Sequence, residues 1–162
     1  MAKLKIGICG WGNVATGLYE QLINGNELYS DWEISCIGAR RDNPRCNPGS
    51  VKILRDIFDV VKEDVDVLIE LIGGVETARD LISEALNSGK HVVTANKAVI
   101  FEHGEELIKL ARKNNVKSKE IGLLSIDIDG NDYWVLKEIN VLDPTIIVCE
   151  FNSIFGDLFK VS

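Results

Sequence analysis

The stretch that most constrains this chain is KIGICGWGNVATG, Lys5 to Gly17. An apolar run ends at Gly10, Gly12 follows two residues later, and Ala15 takes a third small position before Gly17. Gly10 suits a tight turn, Gly12 lets the backbone approach a ligand, and Ala15 lets a helix lie close to a strand. The apolar run reads as a buried strand, and Val14, Leu18 and Leu22 recur behind the turn at helical spacing. A strand, a glycine turn and a helix in that order aim the free N–H groups around Asn13 and Val14 at one point. The pyrophosphate of a dinucleotide fits such a point.

The remainder of the chain repeats the alternation. Further strands are expected at Trp32–Gly38, Val65–Leu71, His91–Ala95, Ile121–Asp127 and Thr145–Glu150. Runs such as VDVLIELI and IGLLSID are continuously apolar, as strands covered on both faces are. Between them, Ala78, Leu81, Ile82, Ala85 and Leu86 form one helical stripe, and Leu107, Ile108 and Ala111 another. These helices should stop at Ser88-Gly89 and Asn114-Asn115. Arg41–Ser50, with prolines at 44 and 48, reads as a loop. The expected fold is α/β: a doubly wound, mostly parallel Rossmann-type sheet of about six strands in a single domain.

Composition narrows the function. The net charge is −7 and the pI about 4.9, which excludes the basic surface that nucleic acid needs. No apolar run reaches the ~20 residues of a membrane span, and no leader-like segment precedes the first strand. The 4 cysteines form no Cys-x-x-Cys pair, and Cys9, Cys36 and Cys149 sit in apolar runs, so buried thiols in a cytoplasmic protein are expected.

The second strand ends in Gly38-Ala39-Arg40-Arg41, where an NAD site would carry an acid for the ribose hydroxyls. Guanidinium groups pair instead with a 2′-phosphate, which favours NADP over NAD. Solvated arginines at a loop entry are the plainer reading, and Asp42 could still serve a ribose. The third strand runs into Leu71-Ile72-Gly73-Gly74 and the fourth into Thr94-Ala95-Asn96-Lys97, both at the carboxyl edge where ligands bind. By position alone Lys97 reads as a surface lysine, although one near a nicotinamide could hold or shuttle a proton.

Residues 1 to about 116 resemble the nucleotide-binding half of the homoserine dehydrogenase family. The matching pieces are KIGICGWGNVATGL, then DVDVLIELIGGVETARDLISEALNSGKHVVTANKA, then EHGEELIKLARKNN. The resemblance implies reduction of aspartate semialdehyde to homoserine with NADPH or NADH. It implies that Lys97 is catalytic. It also implies that Gly10, Trp11, Gly12, Asn13, Val14, Arg40, Arg41, Gly73, Gly74, Thr94, Ala95 and Asn96 line the cofactor.

The likeness stops near Val116, and no family-type substrate domain follows, so a truncated chain with poor or no turnover is expected. A nucleotide-binding module without catalysis is the alternative. Residues 117–162 instead resemble a late strand–helix–strand piece of a class I methyltransferase-like family, through LLSIDIDGNDYWV and CEFNS. They are expected to complete the same sheet, and methyl transfer is not expected. Asp127, Asp129, Asn131 and Glu138 mimic a calcium loop, but Asp132 stands where that loop needs glycine. The acids read better as a solvated helix cap, and no metal site is expected.

Overall fold

A computed structural model describes residues 3–24, 30–114, 120–126 and 143–149, the last two segments as backbone. The elements are β1 (Leu4–Cys9), α1 (Asn13–Ile23), β2 (Trp32–Gly38), β3 (Lys52–Leu54), α2 (Asp59–Lys62), β4 (Val67–Glu70), α3 (Glu76–Asn87), β5 (His91–Thr94), α4 (Lys97–Lys113), β6 (Glu120–Ile126) and β7 (Asp143–Cys149). Residues 1–116 and 117–162 form two compact units. In the first, a 5-stranded sheet has the order β3-β2-β1-β4-β5 with every pairing parallel. In the second, β6 and β7 pair parallel to each other.

The order puts β1 at the centre. The chain winds outward through β2 to β3, returns to β4 on the other side of β1, and continues to β5. The connections leaving β1 and β4 therefore diverge, and a crevice opens above their carboxyl ends.

Side-chain alternation along the strands builds a core on each face. Ile6, Ile8 and Ile37 pack with Ala15 and Tyr19 of α1. Cys9, Cys36 and Leu68 pack on the opposite face with Val60, Leu81 and Ala85. Ala78, Ile82 and Leu86 of α3 then meet Val99 and Leu107 of α4. The expected α3 stripe is wholly buried, and Cys9, Cys36 and Cys46 are free, buried thiols. Burial pushes the Cys36 thiol up to about 11 and Cys9 higher, which makes both poor nucleophiles.

Two residues of the expected helical stripes are exposed. Val14 is 65% exposed and Ile108 54% exposed. The buried face of α1 runs instead through Ala15 and Tyr19, with Leu18 and Leu22 alongside.

The sequence reading also misses β3 and α2, which are short. Their fit depends on glycines. A Cβ on Gly7 would come within 2.6 Å of Val60 Cγ1, and one on Gly38 within 2.8 Å of Val60 Cγ2. Bare backbone at both positions lets α2 press directly on β1 and β2. Among the described residues, no helix is long and apolar enough to cross a membrane. Asp127, Asp129, Asn131, Asp132 and Glu138 lie outside the described residues.

Candidate cofactor site

The glycine turn closes the carboxyl end of β1. Gly10 has φ +105°, and a Cβ there would stand 2.6 Å from the Leu71 carbonyl oxygen. Its N–H donates to the Gly38 carbonyl at 2.8 Å, and the Leu71 N–H donates to the Cys9 carbonyl at 2.8 Å. The turn is thus tied by backbone to the ends of both flanking strands. Gly10 is required by the fold itself.

Gly12 differs. Its φ of −95° suits any residue, and a Cβ there would meet nothing within 4 Å. It caps α1 without a side-chain hydrogen bond, and the first turn of α1 carries no acid. The first amides of α1 thus meet no acid of their own turn and no capping side chain. Ala15, the third small position, is 1% exposed against the sheet, which is the close packing its size allows.

Trp11 projects over this turn and meets Tyr19 edge-on, with ring centroids 5.1 Å apart. Asn43 holds the following loop against it. The Asn43 amide Nδ2 donates to the Trp11 carbonyl at 3.2 Å and to Thr16 Oγ1 at 3.0 Å. Nothing in a glycine pattern reveals that tether.

A cleft of about 850 Å³ opens above the switch point. It gathers Gly10, Trp11, Arg40, Arg41 and Gly73 from the expected set, and adds Arg55, Ile72 and Thr77. A smaller hollow of about 330 Å³ shares Trp11, Ala39 and Arg41 with it. Arg40 and Arg41 are both exposed at the end of β2. Arg55, just beyond β3, adds a further guanidinium that sequence reasoning did not single out. It pairs with Asp42 at 2.7 Å, so the carboxylate that could have faced a ribose is engaged by an arginine. A reader alert to the short strand Lys52–Leu54 would have found Arg55 at its carboxyl end.

Gly12, Asn13, Val14, Gly74, Thr94, Ala95, Asn96 and Lys97 are not in the wall of this cleft. Gly74, with φ +90°, continues the loop after β4, Thr94 ends β5, and Ala95 and Asn96 lead from it into α4. Lys97 is the first residue of α4 and is exposed. Asn96 caps that helix, its Oδ1 accepting the Val99 N–H at 3.2 Å. The Asn96 amide also donates to the carbonyls of Gly74 at 2.7 Å and Ile72 at 3.4 Å. The loops after β4 and β5 are thereby stitched together.

Beneath the stitch lies Glu70, the last residue of β4 and fully buried at 0% exposure. One carboxyl oxygen accepts the Ile72 N–H at 2.7 Å, and the other accepts the Thr94 hydroxyl. Thr94 Oγ1 in turn accepts the Asn96 N–H at 3.0 Å. Sequence reasoning passed over Glu70. The available signal was an acid inside the apolar run VLIELI.

The residues present therefore fit a dinucleotide: open backbone at an uncapped helix start, a cleft at the switch point, and arginines at the end of β2. The profile of a family described as "Homoserine dehydrogenase, NAD binding domain" matches residues 10–119. A homoserine dehydrogenase of Pseudomonas aeruginosa is 43% identical over 122 residues, covering 72% of this chain and 28% of that protein. One of Neisseria gonorrhoeae is 35% identical over 123 residues, again covering 72% and 28%. A solved homoserine dehydrogenase from Thiobacillus denitrificans superposes with a TM-score of 0.64 at 30% identity, over 69% of this chain and 28% of that one. The chain thus spans little more than a quarter, 28%, of the length of these curated relatives. Match, fold and site geometry agree: the chain belongs to the homoserine dehydrogenase family, through the NAD-binding domain of that family.

Proposed function

We propose that residues 1–116 bind a nicotinamide dinucleotide, NADP(H) in preference to NAD(H), as the cofactor-binding part of an aspartate semialdehyde/homoserine oxidoreductase. One contrast carries the reading. The space beside Gly10 is filled by protein, whereas the missing Cβ of Gly12 faces open space at a helix start that no side chain caps.

The bound dinucleotide would supply the hydride. The amides at the start of α1 would hold the pyrophosphate, where Gly12 lets backbone and phosphate approach. Arg40 and Arg41 would pair with a 2′-phosphate, and Arg55 would hold Asp42 away from it. Lys97 would hold the substrate oxygen and move a proton at Nζ. Hydride transfer needs the semialdehyde within about 3–3.5 Å of the reacting carbon, and a single lysine does not fix it there. The 162-residue chain alone is therefore expected to bind cofactor and to turn over little. A cytoplasmic setting goes with its unpaired thiols, and its net charge of −7 goes with a partner other than nucleic acid.

A module that binds the cofactor without reacting is the second reading. It is favoured by the position of Lys97 outside the wall of the large cleft. Fluorescence titration with NADPH and NADH tests the binding proposal, with tighter binding of NADPH expected. Lys97→Ala should leave the affinity within about twofold, because the lysine is assigned to substrate rather than phosphate. If the chain binds neither dinucleotide, the proposal fails. If the 162-residue chain reduces the semialdehyde at an enzyme-like rate, the expectation of little turnover fails.

A further inference from the structure

The geometry points to Glu70 as a positioning residue: it locks the loops after β4 and β5 into one platform for the cofactor. The inference rests on the dinucleotide reading above.

A carboxyl group at the end of a buried strand is costly to desolvate, and apolar neighbours would fill the space more cheaply. Glu70 is 0% exposed, and each of its oxygens is spent on a different loop. Oε1 takes the Ile72 N–H at 2.7 Å, in the loop that forms the cleft wall. Oε2 takes the Thr94 hydroxyl, at the end of β5. With its proton directed to Glu70, Thr94 Oγ1 is left to accept the Asn96 N–H at 3.0 Å. Asn96 then reaches back to the Gly74 carbonyl at 2.7 Å, which closes a ring through both loops. The same Asn96 caps α4 through the Val99 N–H at 3.2 Å, which sets where Lys97 begins that helix.

The ring has a functional consequence. Loops at the ends of parallel strands are exposed, and any ligand that orders them loses affinity to that ordering. A buried carboxylate that bonds both in the free chain removes the loss beforehand. Glu70 touches no ligand in this scheme. It acts through Ile72, Thr94 and Asn96.

The test uses the full chain and two readouts. Glu70→Gln replaces one acceptor with an NH2 donor, so either the Ile72 N–H or the Thr94 hydroxyl proton loses its acceptor. Thr94→Val removes the hydroxyl at similar size, and Thr94→Ser keeps it. Amide hydrogen exchange on the ligand-free chain should speed up about tenfold or more at Ile72 and Asn96 in Glu70→Gln and Thr94→Val. Exchange at Ile8 and Ile37 should stay unchanged. NADPH titration well below the unfolding temperature should show about tenfold weaker binding for those variants. Thr94→Ser should bind within about twofold of wild type, and the Glu70→Gln/Thr94→Val pair should be no weaker than the worse single variant. Wild-type affinity in both Glu70→Gln and Thr94→Val would overturn the inference and leave dinucleotide binding standing. A wild-type chain that binds no dinucleotide would overturn the reading beneath it. Uniformly faster exchange, with equal losses in Thr94→Ser and Thr94→Val, would reduce Glu70 to a stability role and overturn the inference as well.

Discussion

The two sides of the switch point are built by different means. At the end of β1, the turn is backbone held by backbone: Gly10 donates to Gly38, and Leu71 donates to Cys9, each at 2.8 Å. At the ends of β4 and β5, the loops are held by side chains, with Glu70, Thr94 and Asn96 in one hydrogen-bonded ring. The first side is open where a ligand would approach. The second is closed around a buried carboxyl group. A site that must admit phosphates cannot place side chains in the same space, so glycine shapes it. A site that must hold two loops in register has no such limit, and polar side chains can hold it.

The contrast can be broken most severely at Gly10. Gly10→Ala puts a Cβ against the Leu71 carbonyl oxygen at 2.6 Å, in a backbone at φ +105°. Strain and overlap together should cost about 3–5 kcal/mol, seen as a large drop in the denaturant midpoint. A loss below about 1 kcal/mol would show that the turn relaxes freely and that its backbone ties matter little. On the other side, Glu70→Ala leaves the Ile72 N–H and Thr94 hydroxyl without their acceptor and opens a void. A loss of about 3 kcal/mol is expected by the same measurement.

Arg40→Ala with Arg41→Ala should sharpen the picture of the open side without touching stability. NADPH affinity should fall about tenfold or more, while NADH affinity changes less than about threefold. Equal losses for both cofactors would assign the arginines to the shared pyrophosphate instead.

A separate effect is expected of pH on the core beneath both sides. Burial holds the Cys36 thiol protonated up to about 11, against an ordinary 9.0. The unfolded chain therefore releases its thiol protons first as pH rises. Stability from this source is intact below about pH 9, falls through the interval, and is gone above about 11. Cys36→Ala should flatten that fall in denaturation midpoints measured from pH 8 to 11. An unchanged slope would show that Cys36 is not its source.

Much of the first side was legible from residue order. Gly10 makes the tight turn and Ala15 the close helix packing that the spacing demands, and Gly12 stands with open space beside it. The α3 stripe was equally plain, because all five of its apolar residues point one way on a helix. Val14 falls on the helical stripe of α1 and is nonetheless exposed, because helical spacing alone does not say which residues of a first turn are covered. β3 and α2 escaped because elements of 3 and 4 residues carry too little periodicity to register. Glu70, Arg55 and Asn43 escaped for another reason. Their importance lies in partners 2 to 32 residues away, and no local pattern encodes such a pairing.

Gly12 offers the most direct test of the central claim. A Cβ there meets nothing within 4 Å, so Gly12→Val should still fold, losing about 1 kcal/mol because valine is a poorer helix N-cap than glycine. The added side chain would nonetheless stand where the backbone must meet the phosphates. NADPH titration of Gly12→Val beside wild type should show binding lost, by about a hundredfold or more, at a temperature where both chains are folded. Normal NADPH affinity in a stable Gly12→Val chain would contradict the placement of the dinucleotide at this turn.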